Sequence, residues 1–359
     1  MGDYTRRLSI ELIRIGHLVK IIAINDKFIR QRLVQIQKIE GGDVEVIRFP
    51  SFLPVDERFA DAKKFISSFS PQWISLQFVV FGYHRKGLPF HLISRLKKLG
   101  KDAKWHIMFH ELWTGMEAHS NIKLQILGAI QKYIIKRLLV TSNPTVIHTQ
   151  TRIYQQQVSK LGFECLYLPL FSNISTRAII SRGPKNGVVK FVMFGSIHPG
   201  APVIEFVEEL KAYLRNYNLK GQLTIIGRAG SEQNLWKKHC VESGLVVSIM
   251  GEQSESIISN ILSTSSYGIS TTPFLLLEKS GTVAAMFENR LSVICVAKQW
   301  FVKSLKNAGS SDGIFEYKKG NLTSILNGVE KTLPVRDITS IAHQFVESLS
   351  NGFNRKPDI

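Results

Sequence analysis

The feature of this sequence that most limits its possible folds is a repeated alternation of short β-branched runs with longer helical patterns. In the second half, residues 188–194, 223–226 and 246–250 are typical of buried strands, and residues 202–214 and 233–243 are typical of the helices between them. Strands that are buried on both faces and joined by helical crossovers form parallel, doubly wound sheets. The pattern therefore predicts an α/β fold.

The first half repeats this alternation, which predicts two Rossmann-like domains. Its expected strands are residues 18–24, 44–49, 73–78, 105–109 and 145–149, and its expected helices are residues 6–15, 60–67, 88–99 and 124–139. A polar stretch around Arg182-Gly183-Pro184 separates two apolar regions, as interdomain linkers do. We predict a first domain at 1–172, a linker at 173–187, a second domain at 188–335, and a terminal helix and tail at 336–359.

Composition excludes several classes of protein. With 44% hydrophobic and 21% charged residues in 359, the chain is neither largely disordered nor collagen-like. It contains no run of about 18 apolar residues, and residues 1–7 carry no apolar signal core. Its three cysteines, Cys165, Cys240 and Cys295, have no metal-ligand spacing. We therefore expect a cytoplasmic protein in a reducing compartment, without structural zinc.

The charge balance favours an anionic partner. The formal net charge is +18, and residues 1–172 hold 25 basic against 13 acidic residues, a net +12. Nucleic acid, an acidic membrane and a phosphorylated substrate would all suit such a field. Residues 124–139 predict a helix in which Lys132, Lys136 and Arg137 interrupt an apolar pattern. Such a helix would lie on the anionic inner face of a membrane or simply pack on a sheet. Nucleic acid is not expected, because no binding module is present.

A candidate phosphate-binding feature is the segment Glu278-Lys279-Ser280-Gly281-Thr282, which follows an apolar run and precedes a predicted helix. A Ser-Gly-Thr turn at a helix start offers free backbone N–H groups and the positive end of the helix dipole, which suit a diphosphate. An ordinary helix cap is the alternative. Lys279 and Arg228 are candidate counterions.

The pair His110-Glu111 directly follows the apolar strand residues 107–109. At the end of a strand, a histidine could contact a substrate and an acidic neighbour could act as a general base. The alternative is a histidine that bonds to nearby backbone. The other histidines, including His106 and His148, show no ligand spacing, so we assign them no chemistry.

Several loops resemble those of GT-B glycosyltransferases, particularly glycosyltransferase family 4. Gly2-Asp3-Tyr4-Thr5-Arg6-Arg7-Leu8 is similar to the loop and helix that follow the first strand of that family, and Phe109-His110-Glu111 to a strand followed by His-Asp or His-Glu. Gly227-Arg228 and Met250-Gly251-Glu252 are similar to strand ends of the donor domain. The resemblance covers nearly the whole chain.

The resemblance implies two Rossmann-like domains that face each other across a cleft. It implies a metal-independent, hexosyltransferase-like enzyme that moves a sugar from a nucleotide-diphosphate sugar to a saccharide or lipid-linked acceptor in polysaccharide or glycoconjugate synthesis, with no cofactor. The catalytic candidates are His110, Glu111 and Glu278, and the acceptor-binding candidates are Gly2, Asp3 and Tyr4. The donor-binding candidates are Gly195, Ser196, Arg228, Gly251, Glu252, Lys279, Ser280, Gly281 and Thr282.

The sequence departs from the family pattern at three places. The chain would lack the first strand of the family, as a misplaced start or a truncated gene product would explain. Ala285 stands where the family has a second glutamate that holds the ribose, and Phe194-Gly195-Ser196 is not followed by the usual Arg and Lys. A catalytically inactive GT-B-like binding protein is therefore the alternative expectation.

Overall fold

The structure is a computed structural model, and it describes residues 1–39, 41–100, 102–174, 187–302, 313–328 and 337–352. These residues form two compact units. The first unit takes those within Met1–Leu168, Val302–Ser304 and Ile338–Ile359, and the second those within Pro169–Phe301 and Leu305–Asp337. Residues 175–186 of the predicted linker and 353–359 of the predicted tail lie outside the described residues.

The helices and strands follow one another through both units. The strands are β1 (Lys20–Asp26), β2 (Leu33–Ile39), β3 (Gly42–Pro50), β4 (Trp73–Phe78), β5 (Lys104–Phe109), β6 (Val146–Thr149), β7 (Leu166–Tyr167), β8 (Val188–Phe194), β9 (Lys220–Ile226), β10 (Val246–Gly251), β11 (Tyr267–Ser270), β12 (Val293–Cys295) and β13 (Ile314–Glu316). The helices are α1 (Gly2–Arg14), α2 (Val55–Phe69), α3 (Val80–Tyr83), α4 (Phe90–Leu96), α5 (Ile122–Ser142), α6 (Arg152–Ser159), α7 (Val203–Asn216), α8 (Glu232–Glu242), α9 (Glu255–Thr264), α10 (Gly281–Glu288), α11 (Leu322–Leu326) and α12 (Ile338–Asn351).

The described strands of the first unit form two sheets. One has the order β4-β5-β6-β7 and is parallel throughout. The other has the order β1-β3-β2, in which β1 pairs with β3 in parallel and β2 pairs with β3 antiparallel. We predicted no strand at β2. Its side chains alternate between half-buried and exposed, with Val34 and Ile36 in solvent, so the strand lacks the apolar run of a buried one.

Helices cover both faces of the three-stranded sheet. Ile10 of α1 packs on Val44 and Val46, whereas Ala62 of α2 packs with Ile47 and Phe49. Because successive residues of a strand point to opposite faces, these two clusters lie on opposite sides of β3. The doubly wound arrangement is therefore present in this part of the first unit.

Helix α12 belongs to the first unit, although it comes last in the chain. Thr339 donates its hydroxyl hydrogen to Glu11 of α1 at 2.6 Å, and the ring of Phe345 meets the ring of His106 edge-on, with centroids 4.9 Å apart. Phe345 and Ala342 are buried. The amphipathic pattern of α12 is thus satisfied by the first unit, which sequence periodicity alone does not specify.

The second unit has one sheet of six parallel strands in the order β10-β9-β8-β11-β12-β13. Phe191 and Met193 of β8 pack with Phe206 of α7 and Trp236 of α8, whereas Val192 packs with the buried residues of α9 and α10. Alternate residues of this strand thus pack against helices on opposite faces of the sheet. The predicted α/β class with parallel, doubly wound sheets is confirmed.

The first helix begins earlier than expected. We predicted a loop at Gly2-Asp3-Tyr4 and a helix from residue 6, but α1 begins at Gly2. The carbonyl of Met1 accepts hydrogen bonds from the backbone N–H of Thr5 at 2.9 Å and from its hydroxyl at 3.0 Å, which closes the first turn. Asp3 lies in that turn, where its charge suits the helix dipole. The predicted loop is therefore wrong.

Within the described residues, no helix is long and apolar enough to cross a membrane. In the same described residues, no three histidine, cysteine or acidic side chains lie together in a way that could hold a metal ion.

Candidate functional site

A glycine turn stands at the carboxyl end of each of three adjacent strands in the second unit. Gly195 follows β8, Gly227 follows β9, and Gly251 ends β10, and each has a positive φ, between 64° and 88°. The N–H of Gly195 donates to Ile226 at 2.9 Å, and the N–H of Gly227 donates to Gly251 at 2.6 Å. Ligands of parallel α/β sheets bind at this edge. The geometry thus gathers three predicted donor-binding strand ends at one place.

The start of helix α10 lies against the first of these turns. Ser280 is the N-cap, its Oγ accepting from the N–H of Val283 at 3.5 Å and lying 3.0 Å from the hydroxyl of Thr282. A β-carbon added at Gly195 would lie 2.7 Å from Cγ2 of Thr282, so only glycine allows this approach. Gly281 is exposed, and a β-carbon there would meet nothing within 4 Å. The helix start can therefore accept an anion.

The charged candidates of the second unit lie around this edge. Arg228 and Glu252 form an ion pair at 2.8 Å, and both side chains are well exposed. A surface pair of this kind contributes little to stability, so it leaves Arg228 able to bind another anion. Glu278 and Lys279 are half-buried at the end of the 3₁₀ helix Phe274–Lys279.

The remaining donor-side positions differ in exposure. Ser196 is exposed beside Gly195. Ala285 is fully buried in the apolar cluster of α9 and α10, so this position presents no polar group. The structure thus brings Gly195, Ser280 and Thr282 together in one group. It brings Arg228 and Glu252 together in a second group.

In the first unit, His110 follows β5 and is surrounded by polar side chains. Its Nε2 lies 2.8 Å from Oε1 of Gln77, and its Nδ1 lies 3.3 Å from Oε1 of Gln150. The ring of Tyr4 meets the ring of His110 edge-on, with centroids 4.8 Å apart. Burial lowers the pKa of His110 to about 4, so the imidazole is neutral near pH 7.

The other candidates of the first unit differ in exposure. Glu111 is exposed next to His110, while Gly2 and Asp3 are exposed in the first turn of α1. Asp3 forms an ion pair with Arg6. Tyr4 is buried, and that burial raises the pKa of its hydroxyl. The second unit contains the third catalytic candidate, Glu278.

Sequence reasoning missed the two glutamines that hold His110. Gln77 is the fifth residue of β4, and Gln150 follows β6 directly. A signal was available, because polar residues occupy alternate positions of otherwise apolar strands, as in Ser75 and Gln77 or His148 and Gln150. Alternation of this kind marks one face of a sheet.

Neither a protein-family model nor a curated protein sequence matches the chain. Solved structures do. A glycosyltransferase from Rickettsia africae ESF-5 is similar at 13% sequence identity and a TM-score of 0.53, over 97% of this chain and 89% of that protein. Anabaena Alr3699/HepE, solved in complex with UDP and glucose, is similar at 14% identity and a TM-score of 0.50, over 87% of each chain.

The structure of TarM is also similar, at 12% identity and a TM-score of 0.46, over 83% of this chain. The chain spans 58% of the length of TarM. The likeness to the Rickettsia africae glycosyltransferase and to the Anabaena protein shows that the chain has the fold of these two structures, as the GT-B resemblance predicted. Its assignment to family 4 and the loss of a first strand stay predictions.

Proposed function

We propose that this chain is a glycosyltransferase that moves a sugar from a nucleotide-diphosphate sugar to a saccharide or lipid-linked acceptor in polysaccharide or glycoconjugate synthesis. The observation that carries the proposal is the contact between the Gly195 turn and the start of α10, at the carboxyl edge of a parallel sheet. The second unit would hold the donor and the first the acceptor. The presence of UDP and glucose in the similar Anabaena structure supports this kind of donor.

Each candidate has a role that its position allows. The N–H groups at Gly281 and Thr282 would receive the diphosphate, with Lys279 and Arg228 adding positive charge as the leaving group becomes more negative. This arrangement is the reason that we propose a metal-independent transfer. Glu278 would bind hydroxyls of the transferred sugar. Gly251 and Glu252 would lie near the base, and Gly195 and Ser196 near the phosphates.

His110 would contact the transferred sugar from the first unit. With its pKa held at about 4 by burial, it would act as a neutral hydrogen-bonding group rather than as an acid. Glu111, which is exposed beside it, would be the general base if the reaction inverts. Gly2, Asp3 and Tyr4 would lie on the acceptor side.

The test is a panel of UDP-, GDP- and ADP-sugars, assayed for diphosphate release with and without saccharide and lipid-linked acceptors. Acceptor-dependent release with one donor is the expected result. Tight nucleotide binding without turnover on any acceptor would instead support the alternative, an inactive binding protein with this fold. If no member of the panel bound, both readings of the second unit would be wrong.

We also propose that the protein is cytoplasmic and binds the anionic inner face of a membrane through helix α5. Besides Leu124, five large side chains of this helix are exposed: Ile122, Ile126, Ile130, Tyr133 and Val140. At 100° per residue they fall within about 80° of one another around the helix axis. Lys132 and Lys136 flank this apolar stripe on one side, Lys123 flanks it on the other, and the exposed Arg137 lies within it. Apolar stripes with basic borders are typical of interfacial helices.

A further inference from the structure

A continuous row of polar side chains crosses one face of the β4-β5-β6 sheet in the first unit. Successive hydrogen-bonding atoms along it lie 2.8 to 3.0 Å apart. The contacts are His148 Nδ1 with His106 Nε2 at 3.0 Å, His106 Nδ1 with Ser75 Oγ at 2.8 Å, Ser75 Oγ with Gln77 Nε2 at 2.8 Å, and Gln77 Oε1 with His110 Nε2 at 2.8 Å. His110 thus ends a chain that begins 38 positions later in the sequence, at His148.

The pairing of the strands explains why these side chains meet. Ser75 of β4 lies directly beside His106 of β5, and Met108 of β5 lies beside His148 of β6. Because alternate residues share a face, Ser75 and Gln77, His106 and His110, and His148 with Gln150 all point to the same side of the sheet. Tyr4 of α1 and Phe345 of α12 cover this side.

The three histidines of the row are neutral near pH 7. Burial lowers the pKa of His110 and of His148 to about 4, and it lowers the pKa of His106 well below its usual value, with the nearby His148 adding to the effect. A neutral imidazole has one N–H donor and one acceptor nitrogen. Each histidine of the row therefore carries one proton, on either Nδ1 or Nε2.

The amide of Gln77 sets the position of that proton in His110. Both ring nitrogens of His110 face an amide oxygen, and the nearer is Oε1 of Gln77, at 2.8 Å from Nε2 against 3.3 Å between Nδ1 and Oε1 of Gln150. An amide oxygen can only accept, so we assign the single proton of the neutral ring to Nε2, at the shorter contact.

Nε2 of Gln77 donates to Ser75, and in the order that we infer the hydroxyl of Ser75, which is exposed, donates to Nδ1 of His106. Nε2 of His106 then donates to Nδ1 of His148. The order beyond Gln77 therefore depends on the direction of the Ser75 hydroxyl.

We infer that Gln77, Ser75, His106 and His148 are positioning residues that hold His110 with its proton on Nε2, so that Nδ1 is presented as an acceptor for a ligand hydroxyl. Oε1 of Gln150 lies 3.3 Å from Nδ1, which places two acceptors face to face. Within the described part of the chain the contact at Nδ1 is thus with an acceptor, and a ligand hydroxyl would supply the matching donor. The proton order depends on the hydrogen bonds alone, whereas the sugar hydroxyl as the ligand rests on the proposed function.

The experiment is ¹⁵N NMR of the full chain with labelled histidine, recorded at pH 8.5, where two- and three-bond couplings identify the protonated nitrogen of each ring. In the wild type we expect His106, His110 and His148 all to carry the proton on Nε2. A proton on Nδ1 of His110 would overturn the inference. This measurement needs neither a variant nor a substrate.

The substitution Gln77→Glu makes the prediction sharper, because it replaces the amide donor with a second acceptor of nearly the same shape. Ser75 would then donate to the carboxylate and accept from Nδ1 of His106. The proton should move from Nε2 to Nδ1 in His106 and in His148 and stay on Nε2 in His110. Gln31→Glu, which adds the same charge at an exposed position, should leave all three unchanged. A His106 that keeps its proton on Nε2 in Gln77→Glu would contradict the chain.

A last step separates this inference from the proposed function. Adding the nucleotide-sugar that the panel identifies should shift the Nδ1 resonance of His110, with little change in His106 and His148. The predicted proton order without that shift would keep the chain and remove the sugar contact. A shift without the predicted order would support the sugar contact and overturn the chain.

Discussion

At the scale of single residues, the buried histidines predict how stability depends on pH. The pKa of His148 is about 4 in the folded unit, against about 6.5 in an unfolded chain, so the unfolded state binds the proton first as pH falls. Stability is therefore complete above pH 6.5 and decreases between pH 6.5 and 4. The loss reaches about 3 kcal/mol at pH 4 for this residue, with further losses from His106 and His110.

Native-state amide hydrogen exchange of β5 and β6 measures this loss within the first unit. In His148→Gln, which keeps an acceptor but does not titrate, the unfolding free energy should fall less steeply with decreasing pH. His17→Gln, at an exposed position, is the control and should follow the wild type. Identical slopes for His148→Gln and the wild type would show that His148 is not desolvated as described.

Glu278 and His110 predict a separation of turnover from binding. Glu278→Gln keeps the shape but removes the charge, so nucleoside diphosphate should bind normally while transfer slows. A charge-assisted hydrogen bond contributes about 1.5 to 3 kcal/mol, which corresponds to a roughly ten- to hundredfold loss. His110→Ala should likewise lower turnover more than binding. Calorimetry and steady-state kinetics on the donor found in the panel would measure both.

The control for these variants is Glu242→Gln, an exposed position on α8, which should change neither quantity. If Glu278→Gln and His110→Ala both kept wild-type turnover, neither residue would contact the transferred sugar. The transfer itself would stand, and its catalytic residues would have to be sought elsewhere.

Residue positions next to strands were predictable, but their partners were not. The apolar strand 107–109 indicated that His110 lies at the carboxyl end of a strand, and it directly follows β5. The contacts with Gln77 and Gln150 join residues 33 and 40 positions apart, and they depend on which strands are neighbours. A single sequence shows the alternation along each strand without the register between strands. No role was predicted for His106 and His148, because their contact depends on the pairing of β5 with β6.

At the scale of elements, the start of α10 predicts how the nucleotide binds. In Gly281→Asp, a carboxylate at the first position of the helix suits the helix dipole, so the fold should persist. The same carboxylate would repel a diphosphate at this place, and we expect at least a tenfold loss of affinity for the nucleoside diphosphate of the active donor. Isothermal titration calorimetry would measure it.

Asn218→Asp is the matched control for this substitution. It adds one negative charge to the same unit, at an exposed residue between α7 and β9, at the opposite edge of the sheet. Asn218 has a positive φ, 51°, which aspartate tolerates as well as asparagine does. It should keep wild-type affinity. Equal affinity in Gly281→Asp would remove the phosphates from the start of α10.

Elements with strong patterns were predicted well, and weak or short ones were not. The residues 188–194 predicted for the first strand of the second unit are those of β8, whose apolar side chains pack on both faces of the sheet, whereas β10 is mostly exposed. Strand β2 was missed because one of its faces is solvated, and α6 because its eight residues carry few apolar positions. The hydroxyl of Thr151 starts α6 by accepting from the N–H of Tyr154 at 3.1 Å, which is a local signal that periodicity does not register.

At the scale of the whole molecule, the net charge of +18 and the exposed stripe of α5 lead to the last prediction. The protein should co-sediment with vesicles that contain anionic lipid, more than with neutral vesicles. Rising salt should release it, because attraction between exposed charges is screened within about 10 Å at 0.1 M salt. The apolar stripe adds a contribution that salt does not remove, so some binding should persist at high salt.

Two substitutions separate the stripe from the charge. Ile126→Ser removes an apolar side chain that is 56% exposed on α5, and Ile204→Ser removes one that is 51% exposed on α7 of the second unit. Since neither side chain belongs to a core, both variants should fold. Only Ile126→Ser should lose the salt-resistant part of the binding, whereas Lys132→Glu should lose the salt-sensitive part. If Ile126→Ser and Ile204→Ser pelleted alike, α5 would not be the membrane-binding element, and the exposed stripe would need another partner.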